Sequence, residues 1–281
     1  MITIPELVAY SDNAYARTEE QCVGCQNENC EGRCSRCFYS IHQFNSTRDY
    51  DCINLVYHYV CEYIYSKSSE ISHLFNRHAE LRQLAYFNIL SIGCGPASEL
   101  FGINNILPQA HITYKGFDLN PNWEGIHNTI QNSAEYDPNR NVEFYTSNVF
   151  EDYPTLNFIP NILILSYLVS HLPKADINVN DFFNELEVII NTMPNNSFII
   201  FNDTNHYRVR DKFDILLNNL NRNEGFVYNA TRYRFKGYQH NGIRHNTDEL
   251  IVDIPQEIRD KYETWRECGS TSQMVIKKEI Q

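Results

Sequence analysis

Apolar side chains recur every three or four positions between Cys52 and Phe87, which predicts one or two amphipathic helices. The first of these positions are Leu55, Val56, Tyr59, Val60, Tyr63 and Ile64. Ser68 and Ser69 are candidates to cap the second helix. The fifty residues before this segment are polar, rich in cysteine and poor in regular periodicity.

After Phe87 the pattern changes to short β-rich runs that alternate with helical stretches. The strand candidates are FNILSI, HITYKGF, NVEFYTS, NILILSY and SFIIFND. Helices are predicted at ASELFGINNIL, from Trp123, at Asp181 to Thr192 and at Val209 to Leu220. Such alternation predicts an α/β fold with a parallel sheet that is covered on both faces.

Beyond Gly225 the order changes to two strands, FVYNATRYRF and SQMVIKKEI, separated by a connection with a helix near Gln256 to Trp265. We expect these strands to pair antiparallel at the sheet edge. The predicted fold is therefore a doubly wound, mostly parallel, seven-stranded sheet with an antiparallel edge and a small N-terminal metal-binding and helical segment. Three parts are expected: residues 1–50 as a cysteine-rich metal-binding module, 51–87 as a helical segment covering a cofactor pocket, and 88–281 as a Rossmann-like domain.

Composition limits the classes of function. The chain has 281 residues, of which 42% are hydrophobic, and a formal net charge of −12. That charge excludes a uniformly basic nucleic-acid surface. The start of the sequence has no signal-peptide pattern, and the longest apolar run, Asn161 to Val169, is too short to cross a bilayer. We expect a cytoplasmic protein that does not enter a membrane.

Basic residues are concentrated between Asn205 and His245, where eight Lys or Arg face three Asp or Glu. Between Arg232 and Arg244 they alternate with aromatic residues, as in surfaces that bind anionic or aromatic substrates, including RNA. The alternative is an edge strand with a basic outer face, which protects the sheet from further pairing.

The segment NILSIGCGPASEL, from Asn88 to Leu100, carries the main candidate for a ligand site. Gly93 and Gly95 lie between a predicted strand and a predicted helix, where glycine permits a sharp turn and close approach of a ligand. The next strand ends at Asp118, and an acid at that tip can accept both ribose hydroxyls of a nucleoside. Ala97 replaces the third glycine of a phosphate-binding loop.

With these motifs the chain resembles the class I S-adenosylmethionine-dependent methyltransferases. LSIGCGPASEL is similar to the first motif of that family, GFDLN to the second, TSNVFED to the third and ILILSYLVSHLP to the fourth. Two positions depart from the family pattern, since Ser91 and Asn148 stand where acids are common.

The resemblance implies S-adenosyl-L-methionine as cofactor and transfer of its methyl group to an unidentified small molecule, RNA or protein. Gly93, Cys94 and Gly95 would wrap the cofactor, with Cys94 contributing backbone. Asp118 would hold the ribose and Leu119 would lie against the adenine. The remaining implied contacts are Asn148 and Val149 at the adenine, and Ser166 and Tyr167 below the methyl group.

Three residues are candidates for catalysis because each follows a predicted strand at the expected ligand end of the sheet. His171 follows the fourth strand, and Asp203 and His206 follow the fifth. His171 could take a proton from the acceptor or orient it. The structural alternative is that His171 caps the segment before Pro173.

The stretch CVGCQNENCEGRCSRC holds five of the nine cysteines. Cys22, Cys25, Cys34 and Cys37 have the double Cys-x2-Cys spacing of a four-thiolate zinc site, with Cys30 as a substitute ligand and His42 as a weaker one. In the alternative, Cys30, Cys34 and Cys37 have the spacing of the iron–sulfur cluster of radical S-adenosylmethionine enzymes. Those enzymes use a β/α barrel, which the predicted doubly wound sheet does not match.

For the function of the chain, a further alternative to methyl transfer is a protein that binds the cofactor or acts as a scaffold without catalysis.

Overall fold

A computed structural model describes residues 1–19, 34–41, 50–222, 225–237 and 242–280. Eight strands form one sheet in the order β3-β2-β1-β4-β5-β8-β6-β7. Their bounds are β1 Phe87–Ile92, β2 Ile112–Phe117, β3 Arg140–Tyr145, β4 Ile162–Ser166, β5 Phe198–Thr204, β6 Phe226–Arg234, β7 Ile243–Arg244 and β8 Thr271–Ile280.

Strands β1 to β5 are parallel to one another, and β8 runs antiparallel to both β5 and β6. The predicted α/β class, the mostly parallel sheet and the antiparallel edge are confirmed. The strand number differs from the predicted seven because the two-residue β7 pairs with the end of β6. Strand order reverses direction at β1, and in open α/β sheets a ligand crevice lies outside the carboxyl ends of the strands at such a point.

The helices cover both faces of the sheet and create two hydrophobic cores. Their bounds are α1 Ile4–Glu19, α2 Cys34–Ile41, α3 Ile53–Arg77, α4 Ala79–Arg82, α5 Ser98–Ile106, α6 Glu124–Ala134, α7 Val149–Asp152, α8 Val179–Thr192, α9 Tyr207–Arg210, α10 Phe213–Leu220 and α11 Gln256–Tyr262. In the part of the chain that the structure describes, no helix is both long and apolar enough to cross a membrane.

Helix α3 is one continuous helix of 25 residues. The expectation that Ser68 and Ser69 cap a second helix is wrong, because both lie inside α3 and are fully buried. The helix continues there because it packs closely on α5. A Cβ atom placed on Gly102 of α5 would lie only 2.5 Å from the Ser68 backbone oxygen, so the glycine permits this approach.

Helix α1 was not anticipated from the polar composition of the first fifty residues. Ile4, Leu7 and Val8 are buried, and α1 packs on α3. Helix α2 also packs on α3, and both helices contribute to the core between α3 and the sheet. The described parts of residues 1–50 therefore pack on the helical segment, while the three domain boundaries stay a prediction.

Candidate active site

A cavity of about 650 Å³ lies at the carboxyl ends of the parallel strands. Turns that follow β1, β2, β3 and β4 form one side of it, and Tyr50, Asp51, Tyr59 and Lys67 contribute from the N-terminal region. The nine residues predicted to contact the cofactor all line this cavity: Gly93, Cys94, Gly95, Asp118, Leu119, Asn148, Val149, Ser166 and Tyr167. The sequence motifs thus converge on a single space.

The turn between β1 and α5 requires its glycines. Gly93 and Gly95 have φ angles of 65° and 49°, in the left-handed region where a side chain is unfavourable. The amides of Gly93 and Cys94 both donate to the carbonyl of Phe117, at 2.8 and 3.0 Å. These bonds join the turn to the end of β2 and leave its backbone beside the cavity.

The carboxylate of Asp118 fixes the same turn from the tip of β2. Its Oδ2 accepts a hydrogen bond from the Gly95 amide at 2.8 Å, and its Oδ1 accepts one from the Asn120 amide at 2.9 Å. These bonds hold both carboxylate oxygens at the lining of the cavity. Beside it, Leu119 is 65% exposed and lines the cavity, where a flat apolar ligand could cover it.

A buried carboxylate lies next to Ser91, the position that departs from the first motif. Glu99 of α5 accepts hydrogen bonds at Oε1 from the Ser91 hydroxyl at 2.5 Å and from the Tyr114 hydroxyl at 2.6 Å. Glu99 lines the cavity, and burial raises the pKa of its carboxyl group. The helix that follows the turn thus brings an acid beside the serine that departs from the motif.

The remaining cofactor candidates are held by local hydrogen bonds. Asn148 caps α7 by accepting from the Phe150 amide at 3.2 Å, and its own amide donates to Glu151 at 2.9 Å. Ser166 accepts a hydrogen bond from the Asn202 side chain at 3.2 Å. Burial raises the pKa of the Cys94 thiol well above its usual range, so Cys94 is a neutral component of the turn.

The three predicted catalytic residues have different positions. His171 lines the cavity, in the turn after β4, with its ring centroid 5.8 Å from that of Tyr50. Asp203 is buried behind the lining, where its carboxylate accepts from the amides of Ser170 and Thr204 at 3.0 and 2.7 Å.

His206 is exposed and caps α9, with Nδ1 accepting from the Arg208 amide at 3.3 Å. It lies outside the residues that line the cavity. The structure thus brings His171 to the cavity, assigns Asp203 to the support of the turn that carries His171, and leaves His206 outside the lining. Asp203 and His206 both lie near the end of β5 in the sequence, but neither side chain lines the cavity.

Glu70, a fully buried carboxylate in the middle of α3, was not predicted from the sequence. Its oxygens accept hydrogen bonds from the Gly269 amide at 3.1 Å, the Thr271 hydroxyl at 2.8 Å and the Asn202 amide at 3.1 Å. The Tyr167 hydroxyl lies 2.9 Å from Oε2. Glu70 thereby connects α3 to the ends of β4, β5 and β8.

Lys67 was also missed, although it is 5% exposed and lines the cavity. Its Nζ lies 3.3 Å from the centroid of the Tyr167 ring, a cation–π contact. A signal was available in the segment YSKSSEISHLF, where a lysine and a glutamate interrupt an otherwise buried helical pattern. Charged residues are almost never fully buried without a specific partner, so such positions indicate a functional or structural role.

The predicted metal ligands are only partly within the described residues. Cys34 and Cys37 lie in α2 and are buried, whereas Cys22, Cys25, Cys30 and His42 lie outside the described residues. Among the residues with described positions, no group of three or more His, Cys, Asp or Glu side chains could hold a metal ion.

Three of the four basic residues between Arg232 and Arg244 form ion pairs with neighbouring acids. Arg232 pairs with Asp214, Lys236 pairs with Glu267, and Arg244 donates to Asp248 at 2.7 Å. None of these cations lines the cavity. Their pairing favours the interpretation of a basic sheet edge over that of a substrate-binding surface.

No protein-family model matches the chain, and no curated protein matches it significantly. Among solved structures, the plantazolicin methyltransferase BamL in complex with a triazolic desmethylPZN analog and SAH is 13% identical, with a TM-score of 0.48; the match covers 95% of this chain and 98% of that chain. Precorrin-6y C5,15-methyltransferase from Geobacter metallireducens GS-15 is 13% identical over 74% of this chain and 86% of that chain, with a TM-score of 0.45.

An rRNA methylase from Streptococcus thermophilus is 10% identical, covering 74% of this chain and 95% of that chain, with a TM-score of 0.43. Because each TM-score is below 0.5 and each identity is low, these similarities carry no inference about the activity or acceptor of this chain.

Replacement of Glu70 tests whether its carboxylate holds the cavity wall together. In Glu70→Gln, an NH2 donor faces groups that themselves donate, so at least one buried donor loses its acceptor. We expect the free energy of unfolding, measured by urea denaturation, to fall by about 1–3 kcal/mol. Glu135→Gln, at the exposed end of α6, is the matched control and should change stability by less than about 0.5 kcal/mol. Equal stability of the two variants would contradict the role of Glu70.

Proposed function

We propose that this chain binds S-adenosylmethionine in the cavity and transfers its methyl group to an acceptor. The observation that supports the proposal is the convergence of nine motif residues, from the ends of four parallel strands, on one cavity. The motifs do not distinguish between a small molecule, an RNA and a protein as the acceptor.

The residues present fit an adenosyl group. The turn at Gly93 and Gly95 presents backbone without side chains, and Asp118 at the tip of β2 brings a carboxylate, which accepts from hydroxyl donors, to the cavity lining. Leu119 supplies an exposed apolar surface beside that carboxylate. When bound, the cofactor supplies an electrophilic methyl group on a sulfonium sulfur.

The tasks of the protein in such a reaction are to align the acceptor and to exclude water. Tyr50, Tyr59 and Trp123 form an aromatic wall in which neighbouring ring centroids are 5.4 to 6.4 Å apart. His171 lies beside this wall and can orient the acceptor or take a proton from it.

Asp118 is the residue on which cofactor binding should depend most strongly. Asp118→Ala removes the acceptor of the proposed ribose hydroxyls and also the acceptor of the Gly95 and Asn120 amides. A loss of about 1–3 kcal/mol lowers affinity by roughly 5- to 150-fold. Calorimetric titration with S-adenosylhomocysteine measures that change.

Asp260→Ala in α11 is the control, because Asp260 lies outside the cavity lining. Circular dichroism of both variants establishes that they are folded. An Asp118→Ala variant that is folded and binds with the affinity of the wild type would remove Asp118 from the proposed site.

Two alternatives give different outcomes. A radical enzyme would need a β/α barrel, whereas this sheet is open, with β3 at one edge and β7 at the other. A protein that only senses the cofactor would bind S-adenosylhomocysteine but transfer no methyl group. Glu99 accepts a hydrogen bond from Ser91, and His171 lines the cavity. Both features favour catalysis over this second alternative.

We also propose a structural zinc ion bound by Cys22, Cys25, Cys34 and Cys37. The support is the spacing of the two Cys-x2-Cys pairs and the position of Cys34 and Cys37 on the buried face of α2, where residues three apart are neighbours. Thiolate ligands must lose their protons to bind, so acid should promote release of the metal.

Elemental analysis of protein purified without added zinc should give about one zinc per chain. Cys30→Ser should retain the metal, and Cys22→Ser or Cys37→Ser should lose it. Iron with acid-labile sulfide would instead support a cluster at Cys30, Cys34 and Cys37, and a metal-free protein with native stability would contradict both assignments.

A further inference from the structure

Two lysines are almost completely buried in the described part of the chain, and they differ in their partners. Lys278 of β8 donates from Nζ to three backbone carbonyls, those of Ile190, Asn191 and Met193, at 3.0, 3.2 and 2.8 Å. Its three ammonium hydrogens are therefore all accepted within the fold. Lys278 has a structural role that needs no ligand.

Lys67, by contrast, makes no hydrogen bond from Nζ to any residue that the structure describes. Its closest carboxylate oxygen is Oε1 of Glu70 at 3.9 Å, beyond hydrogen-bond distance and already used by other donors. Three rings surround the ammonium group: its Nζ lies 3.3, 5.3 and 5.6 Å from the centroids of Tyr167, Trp265 and Tyr63. An ammonium group that lines a cavity and has no acceptor among the described residues can donate to a ligand there, so this arrangement favours an acceptor supplied by a ligand.

The charged residues on the cavity lining indicate the sign of the charge on that ligand. Lys67 is the single lysine or arginine on the described lining, and the other charged residues there are Asp51, Glu99, Asp118, Asp181 and Glu185. Burial lowers the pKa of the Lys67 ammonium, while the nearby Glu70 carboxylate acts in the opposite direction. An anionic oxygen beside Nζ would stabilise the protonated form further.

The position of Lys67 places such an anion near the proposed reaction. Its ammonium lies over the ring of Tyr167, the residue after β4 that the proposed function puts below the methyl group. Tyr167 has a φ angle of 55°, an uncommon backbone conformation that the hydrogen bonds of its hydroxyl to Glu70 and Thr271 help to maintain. The cation is thus held at the floor of the cavity.

We infer that Lys67 binds an anionic oxygen of the methyl acceptor, and that the acceptor is an aromatic carboxylate or phenolate. This inference rests on the proposed function. The aromatic wall of Tyr50, Tyr59 and Trp123 suits a planar ring, and the lysine suits its charged oxygen. In the reaction the oxygen forms a bond to the methyl carbon, the carbon–sulfur bond breaks, and its electron pair stays on sulfur. The acceptor arrives without its proton, so His171 would orient it and no base is consumed.

Calorimetric titration with three small probes tests the anion site. Benzoate carries a carboxylate, 4-nitrophenolate carries a phenolate, and benzamide is a neutral analogue of similar shape. With the protein saturated with S-adenosylhomocysteine, at least one anion should bind about tenfold or more tightly than benzamide. Lys67→Met should remove that preference and leave the affinity for S-adenosylhomocysteine unchanged.

Lys278→Met is the matched control, because it removes a buried ammonium that has all its acceptors. It should lower the melting temperature without changing the preference for anions, whereas Lys67→Met should abolish that preference. Equal binding of benzamide and both anions, or an anion preference that survives in Lys67→Met, would overturn the inference.

Transfer of labelled methyl from S-adenosylmethionine separates the remaining interpretations. The expected products are methyl esters or aryl methyl ethers, and Lys67→Met should raise KM for the acceptor. Transfer to amines or thiols alone, or a fall in kcat with unchanged KM, would overturn the inference in favour of a lysine that acts as a base. If S-adenosylhomocysteine does not bind but Lys67-dependent anion binding persists, the proposed function fails and the anion site stands.

Discussion

The carboxylate of Glu70 is the interaction on which the arrangement of this cavity depends. It is fully buried, and it joins the middle of helix α3 to Tyr167 after β4, Asn202 in β5 and Thr271 in β8. A charge in the interior is stable only when hydrogen bonds replace its hydration. The same bonds fix α3 over the strand ends, so the helix that closes the cavity is positioned by a polar contact as well as by apolar packing.

Three carboxylates have different structural roles at the site. Glu70 holds the wall, Asp118 holds the glycine turn against the end of β2, and Glu99 lies beside Ser91 at the base of the first motif. Asp118 and Glu99 lie on the described lining together with three further acids, and Lys67 is the single lysine or arginine there. The cavity therefore combines an end suited to a nucleoside with an aromatic region that carries a buried ammonium.

The sequence was sufficient for the parts of the fold that depend on local pattern. Alternating strands and helices predicted the sheet and its antiparallel edge, and the Gly93 turn and Asp118 were found because strand ends meet at one edge of a parallel sheet.

Helix α1 was missed because composition outweighed the helical spacing of Ile4, Leu7 and Val8. Glu70 and Lys67 were missed because helical periodicity identifies only apolar positions. Their roles depend on contacts with residues up to about two hundred positions away, which a local pattern does not show. His206 follows a strand as predicted, but it caps α9 and lies outside the cavity lining.

Binding of S-adenosylmethionine in this cavity is tested most directly by a crystal structure of the chain grown with S-adenosylhomocysteine. We predict that the ribose hydroxyls bind the carboxylate of Asp118 and that the adenine covers Leu119, with the sulfur directed toward Tyr167. A ligand bound elsewhere, or a cavity that remains without ligand when the crystals are saturated with it, would contradict the proposed site.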